Sequence, residues 1–163
     1  MRLHKKLKAR EQKGFFWMNN QKVYLYLELE GAELDIVPLY SMFSKGKCFG
    51  SPVGDTYYTY VEDDIKIART RKEAYFQARL EYDAVEENSL SDIICEFMNS
   101  YFYEGAPLHA VLAANRVKMW CTVASEEEEV TLTLDQRAMR KLTEAGLDLR
   151  VTVMQNGYKI RHV

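Results

Sequence analysis

The alternation of hydrophobic and polar residues predicts strands in both halves of the chain. Between residues 22 and 31, four apolar side chains beginning with Val23 alternate with Tyr24, Tyr26 and two glutamates. A period of two is typical of a strand whose two faces meet different environments, so the faces of this strand differ chemically. The same pattern, or a short β-rich run, predicts further strands over residues 57–62, 64–70, 74–84, 116–125, 130–134 and 147–154.

A spacing of three to four residues between apolar positions predicts two helices in the second half. One covers residues 90–102 after Ser89, and the other begins after Asp135 and ends at Gly146. A short helix is also expected within residues 32–43, provided that Pro38 lies in its first turn.

The glycine-rich stretch "SKGKCFGSPVGD" is predicted to connect elements by turns. It lacks the spacing of a phosphate-binding loop, and Pro52 removes an amide that such a loop would need.

Between residues 75 and 154 the predicted order is strand, helix, strand, strand, helix, strand. This order indicates an α+β protein with an antiparallel sheet, helices on one face and a ferredoxin-like βαββαβ arrangement in the second half. A short sequence similarity between "GAELDIV" and "AGLDLRV" leaves open whether the first half is a degenerate duplicate of the second. We therefore expect a basic arm or helix over residues 1–21 and one α+β domain over 22–163, with two halves, 22–72 and 73–155, as the alternative.

Composition indicates a soluble globular chain, since 47% of its 163 residues are hydrophobic and 28% are charged. The first thirteen residues carry six basic side chains against Glu11, a charge of +5, and the whole chain carries −2, so the remainder carries −7. The basic start has no apolar segment after it, and three scattered cysteines suit a reducing compartment. We predict a cytoplasmic protein.

No residue pattern indicates catalysis or metal binding. His4, His109 and His162 are far apart, and the spacings of common catalytic and metal motifs are absent from the sequence. Cys48 between Lys45 and Lys47 is the one thiol for which a reactive role is weighed, as a minor alternative. The chain is accordingly expected to be non-enzymatic, without a cofactor.

Two sets of residues suggest contacts with a macromolecule. Tyrosines beside lysines, and a run of glutamates, are typical of a protein-binding surface. These partner-binding candidates are Lys45, Lys47, Tyr57, Tyr58, Tyr60, Glu126, Glu127, Glu128 and Glu129. The alternative is nucleic acid, bound by Tyr57 to Tyr60 and by the basic residues Lys5, Lys6, Lys8, Arg10, Arg69 and Arg71.

Two longer segments carry a resemblance to a known family. "VYLYLELEGAELDIVPLYSMFSKGKCFG" and "TLTLDQRAMRKLTEAGLDLRVTV" resemble the opening and closing segments of the bacterial domain-of-unknown-function 4279 family. The resemblance covers most of residues 22 to 154 and implies a small cytosolic α+β protein without an assigned activity. The acidic body, the tyrosine-rich candidate interface and the missing active-site pattern lead us to expect an immunity or inhibitor-type protein that occludes a basic partner such as a toxin or enzyme.

Overall fold

The computed structural model describes residues 21–60, 65–84, 89–103, 105–125 and 132–155. Within these ranges the chain forms seven strands and four helices. The strands are β1 (Gln21–Gly31), β2 (Lys47–Ser51), β3 (Thr56–Tyr60), β4 (Lys66–Thr70), β5 (Ala74–Ala84), β6 (Arg116–Ser125) and β7 (Leu149–Gln155). The helices are α1 (Val37–Met42), α2 (Ser89–Tyr101), α3 (Pro107–Ala114) and α4 (Gln136–Glu144).

Five strands form the main sheet, in the order β2-β5-β1-β6-β7. The first three pairings are antiparallel and β6 pairs with β7 in parallel, so the sheet is mixed where an antiparallel one was expected. Because β5 lies between β1 and β2, and β1 lies between β5 and β6, two split βαβ units interlock as in a ferredoxin-like fold. The α+β class is confirmed, and the ferredoxin-like order spans residues 21–125.

The predicted strand over residues 130–134 is wrong for its described part, because residues 132–134 are irregular. The buried hydroxyl of Ser91 in α2 donates to the Thr133 carbonyl at 2.9 Å and accepts from the Asp135 amide at 2.8 Å. These bonds satisfy the backbone in place of a strand partner. The second half therefore lacks this strand of its predicted βαββαβ series, and strands from residues 22–72 and 73–155 share one sheet.

The hydrophobic core lies on one face of the main sheet. In β1, the side chains of Leu25, Leu27 and Leu29 are fully buried. Every helix of the described residues contributes to the same cluster, including Phe43 just after α1 and Phe97 of α2. Each buried leucine stabilises the fold by about 1.5–3 kcal/mol. The helices therefore lie on one face of the sheet, as predicted.

Helix α4 has the predicted ends. The Asp135 carboxylate accepts a hydrogen bond from the Ala138 amide at 3.0 Å, which satisfies one of the free N–H groups of the first turn. Gly146 adopts φ of 66° and closes the helix, a conformation that costs glycine little. In α1, Pro38 lies in the first turn as the sequence required.

Two elements were not predicted. Strand β2 forms within the glycine-rich stretch, where we expected a connection, and pairs with β5. Helix α3 follows the long helix α2 in the chain, so His109 lies on a helix and is exposed. Pro107 at the start of α3, followed by apolar residues at helical spacing, is a sequence feature that could have revealed it.

Strands β3 and β4 form a separate two-stranded sheet. They follow β2 and precede β5 in the chain. The predicted turn at Asp63 and Asp64 lies outside the described residues. At the base of this hairpin, the Gly54 amide donates to the Arg71 carbonyl at 2.9 Å and the Arg71 amide donates to Asp55 at 2.8 Å. Gly54 has φ of 90°, which glycine adopts readily.

The helices are also relevant to membrane crossing. In the described ranges, all of them are too short or too polar to cross a bilayer.

Candidate functional site

The face of the main sheet opposite the helices is rich in aromatic and charged side chains. We call it the open face. Strand alternation places Tyr24 and Tyr26 of β1 on this face, because their neighbours Val23, Leu25 and Leu27 point into the core. No helix of the described residues packs against the open face, since all four contribute to the core on the other side.

One row of side chains crosses the open face through all five strands. The strand register aligns these residues directly opposite one another, and we call them the aromatic row: Lys47, Arg79, Tyr26, Trp120 and Arg150. Two aromatic residues lie in the centre and basic residues lie on both sides. Among the described residues, no carboxylate lies within ion-pair distance of these three basic side chains.

The aromatic side chains of this region are held by ring contacts. Tyr26 and Trp120 stack with centroids 5.1 Å apart and planes 9° apart. The Arg79 guanidinium lies over the Tyr24 ring, 5.2 Å from its centroid. Such aromatic pairs and cation–π contacts contribute about 0.5–1.5 kcal/mol each. The centre of the open face is therefore ordered before any partner arrives.

A polar network lies beside the aromatic row. Tyr75 donates its hydroxyl to the Glu28 carboxylate at 2.9 Å, and Lys118 lies 3.2 Å from the other oxygen of Glu28. Gln77 donates to the Tyr75 hydroxyl at 3.1 Å. Burial and the Glu28 charge raise the pKa of Tyr75 well above its ordinary value, so the phenol stays protonated. This network of hydrogen bonds and one ion pair orders the surface beside the aromatic row.

A cleft of about 620 Å³ lies between the β3–β4 hairpin and the adjacent end of the main sheet. We call it the arginine cleft. Its charged lining consists of Arg69, Arg71, Lys72, Arg116, Glu30 and Glu73. The Arg71 guanidinium lies between two rings, 4.6 Å from the centroid of Tyr57 and 4.2 Å from that of Tyr75. Arg116 is bound by both carboxylates, at 3.3 Å from Glu30 and in closer contact with Glu73.

The structure separates the residues that the sequence placed together. Lys47 lies on the open face, whereas Lys45 is exposed in the turn before β2. On the hairpin, Tyr57 faces Arg69, and Tyr58 and Tyr60 point to the opposite side, with 59% and 56% of their surface exposed.

The remaining candidates divide into two groups. Arg69 and Arg71, from the nucleic-acid alternative, both line the arginine cleft. The other candidates lie outside the described residues: Lys5, Lys6, Lys8, Arg10, Glu126, Glu127, Glu128 and Glu129. Their roles stay predictions.

The side chain of Cys48 points toward the helices, so strand alternation sets it on the side of β2 opposite Lys47. Its thiol donates to the Phe43 carbonyl at 3.4 Å, and burial raises the pKa of the Cys48 thiol. A raised pKa leaves less thiolate and disfavours the reactive role that was weighed for this residue. The described ranges contain no cluster of three or more histidine, cysteine, aspartate or glutamate residues suited to a metal ion.

Sequence reasoning missed the aromatic row as a unit. The alternation in β1 identified Tyr24 and Tyr26 as one face, and the alternation of Met119 and Cys121 implied that Trp120 lies on the other face of β6. What the sequence lacked was the pairing of β1 with β6, which brings Tyr26 opposite Trp120.

Comparisons with protein families, curated proteins and solved structures found no match to this chain. The resemblance to the bacterial domain-of-unknown-function 4279 family stays a prediction.

Proposed function

We propose that this chain is a protein-binding module that contacts its partner through the open face of the main sheet. The observation that carries the proposal is the aromatic row, in which Tyr26 and Trp120 lie between Arg79 and Arg150. Tryptophan, tyrosine and arginine are the residue types that dominate binding energy at protein interfaces. Because Tyr26 and Trp120 stand on strands and stack on each other, these two side chains lose little conformational freedom on binding.

The ring geometry favours a protein over nucleic acid. Tyr26 and Trp120 each use one ring face for the other, and Arg79 covers the ring of Tyr24. Base stacking needs free ring faces. A protein can instead pack apolar side chains against these half-buried rings.

Charge around the aromatic row indicates the chemistry of the contact. Lys47, Arg79 and Arg150 lack carboxylate partners among the described residues, so a protein with carboxylates around an apolar centre complements this surface. The acidic body had led us to expect a basic partner. That prediction rested on the acidic body of the chain, and the glutamate run from Glu126 to Glu129 lies outside the described residues.

The specific form that we propose is an immunity or inhibitor-type protein that neutralises its partner by covering it. A preordered sheet surface supports this form, because occlusion requires tight, rigid contact more than chemistry. Tyr58 and Tyr60 on the hairpin provide a second exposed aromatic surface that the partner contacts in this proposal. The cytoplasmic location predicted from the sequence belongs to the same proposal.

Matched affinity purifications from source-cell lysate test the proposal. The baits are the wild type, Trp120→Ala, and the control Met139→Ala, whose side chain is 50% exposed on α4. We expect one protein to be retained by the wild type and the control and lost with Trp120→Ala. Calorimetry with that purified protein should then show binding weakened at least about 30-fold by Trp120→Ala, as expected for a hot-spot residue.

The proposal fails if the purified partner binds Trp120→Ala as tightly as the wild type. The inhibitor form is tested separately, by assaying the partner's own activity with an equimolar amount of this chain. Full activity in the saturated complex would contradict inhibition while leaving protein binding intact.

Single-stranded nucleic acid is the second candidate, because the unpaired basic residues Lys47, Arg79 and Arg150 surround aromatic rings. Fluorescence anisotropy with labelled single-stranded RNA and DNA at low salt separates the two candidates. Binding that weakens steeply with salt and is lost in Trp120→Ala would favour nucleic acid. Under our proposal, neither the RNA nor the DNA binds.

A further inference from the structure

The arginine cleft contains a buried hydrogen-bond donor without an acceptor. Arg71 Nε is buried and has no hydrogen-bond partner among the described residues. Buried polar groups in native proteins are nearly always hydrogen-bonded, and an unpaired donor on a charged group is especially unfavourable. Because Nε has almost no exposed surface, an acceptor in the cleft would contact the two terminal guanidinium nitrogens, which are neither buried nor hydrogen-bonded among the described residues, and each contact would be a charge-assisted hydrogen bond.

Arg71 is held in place before a ligand binds. Its backbone is pinned by hydrogen bonds to Gly54 and Asp55, and its guanidinium lies between the rings of Tyr57 and Tyr75. An arginine stacked in this way keeps the edge of its guanidinium plane for an oxyanion, which it can bind through two parallel N–H groups.

Excess positive charge converges on the arginine cleft. Glu30 and Glu73 are both bound to Arg116, whereas Arg69, Arg71 and Lys72 have no carboxylate partner among the described residues. Arg69 is oriented by donating its Nε to the Thr59 hydroxyl at 3.1 Å. Three unpaired cations favour a ligand with more than one negative charge, and a phosphate monoester carries about −1.5 to −2 at neutral pH.

The size of the cleft indicates more than a free ion. Its volume of about 620 Å³ lies within the range of about 300–1,000 Å³ that is common for small-molecule sites. Tyr57 lines the cleft and offers an aromatic surface for the organic part of the ligand. We infer that the arginine cleft binds a small phosphorylated organic molecule, with the phosphate at Arg71, Arg69 and Lys72.

This inference is independent of the proposed protein-binding function, because the cleft and the aromatic row share no residue. Isothermal titration calorimetry with phenyl phosphate, inorganic phosphate and benzoate at matched ionic strength tests it. Phenyl phosphate should bind most tightly, with a dissociation constant of about 1 mM or below, followed by inorganic phosphate and then benzoate. The inference is overturned if phenyl phosphate binds no better than benzoate.

Variants locate the phosphate. Arg71→Lys should weaken phenyl phosphate binding about tenfold or more, and Lys72→Ala should weaken it several-fold, because each loses a charge-assisted contact. Arg140→Ala is the matched control, since it removes one exposed positive charge from α4 that does not line the cleft. If Arg71→Lys fails to fold, the binding measured with Lys72→Ala tests the location of the phosphate. Equal binding by Lys72→Ala and the wild type, or equal weakening by Arg140→Ala, would overturn the assignment.

Discussion

Tyr26 and Trp120 lie directly opposite each other on β1 and β6, and their rings stack with centroids 5.1 Å apart. The pair joins two strands that are far apart in the chain, and it forms the centre of the open face. A cross-strand aromatic pair contributes to the stability of a sheet. The same pair thus orders the sheet locally and presents the surface that we propose for partner binding.

A double-mutant cycle measures the energy of this contact. Tyr26→Ala, Trp120→Ala and the double variant should give a coupling energy of about 0.5–1.5 kcal/mol in urea unfolding, since the stacked rings lose each other's contact. The control pair is Tyr24→Ala with Trp120→Ala, because no stacking joins those two rings. A coupling near zero for Tyr26 and Trp120 would contradict the stacked geometry.

The opposite face of β1 is expected to dominate stability. Leu27 is fully buried and lies between Ala78 of β5 and Met119 of β6 in the sheet register. Leu27→Ala should lower the free energy of unfolding by about 2–5 kcal/mol, because it removes buried apolar surface and leaves a cavity. Val153→Ala on β7 is the control, since that side chain is 41% exposed and its loss should cost far less. Equal losses in the two variants, measured by chemical denaturation, would contradict this account of the core.

The local patterns predicted the elements with strong periodicity and failed where a distant contact decides the structure. The alternation in β1 and the ends of α4 were predictable from a few neighbouring residues. Strand β2 was not, because it contains Gly50, which has low strand propensity. In the fold this glycine suits a close approach, since an added Cβ would lie 2.7 Å from the Tyr40 hydroxyl. That close approach involves α1 and is invisible in the strand itself.

The candidate site shows the same division. Tyrosines were expected at the surface, and Tyr58 and Tyr60 are exposed. The aromatic row and the arginine cleft each combine residues from distant segments, such as Arg71 with Arg116, and no local spacing joins them. Segment 130–134 illustrates the reverse error, because its alternating pattern suits a strand while the Ser91 hydroxyl holds its described part in an irregular form.

The cap at Asp135 makes stability depend on acid pH. Hydrogen bonds from the Ala138 amide and from Arg137 lower the pKa of Asp135 below its ordinary value of 3.8. A carboxyl group with a lowered pKa stabilises the folded state above its unfolded-state pKa, and this stabilisation is lost as pH falls through the lower folded-state value. Asp135→Asn keeps a side-chain acceptor but cannot titrate. The melting temperature of this variant should therefore fall less than that of the wild type between about pH 5 and pH 2.

The comparison with Asp135→Ala separates capping from charge. Loss of the acceptor should lower the melting temperature at neutral pH, while Asp135→Asn should stay closer to the wild type because asparagine is also a good N-cap. If the wild type and Asp135→Asn lose stability in parallel as pH falls, the acid sensitivity arises elsewhere in the chain.

Thiol labelling tests the placement of the cysteines. Burial raises the pKa of the Cys121 thiol from 9.0 to about 12, and burial also raises the pKa of the Cys48 thiol. Because the thiolate is the reactive form, a rise from 9.0 to about 12 reduces it about 1000-fold at mildly alkaline pH. In the folded protein, Cys121 should therefore react with iodoacetamide far more slowly than in the unfolded protein, and the reaction of Cys48 should also be slowed.

Peptide mass spectrometry after timed quenching gives the labelling rate at each cysteine, and labelling in urea provides the unfolded reference. If Cys48 instead reacts faster in the folded protein than in urea, the reactive-thiol alternative is restored, because only an activated thiolate exceeds the rate of the unfolded chain.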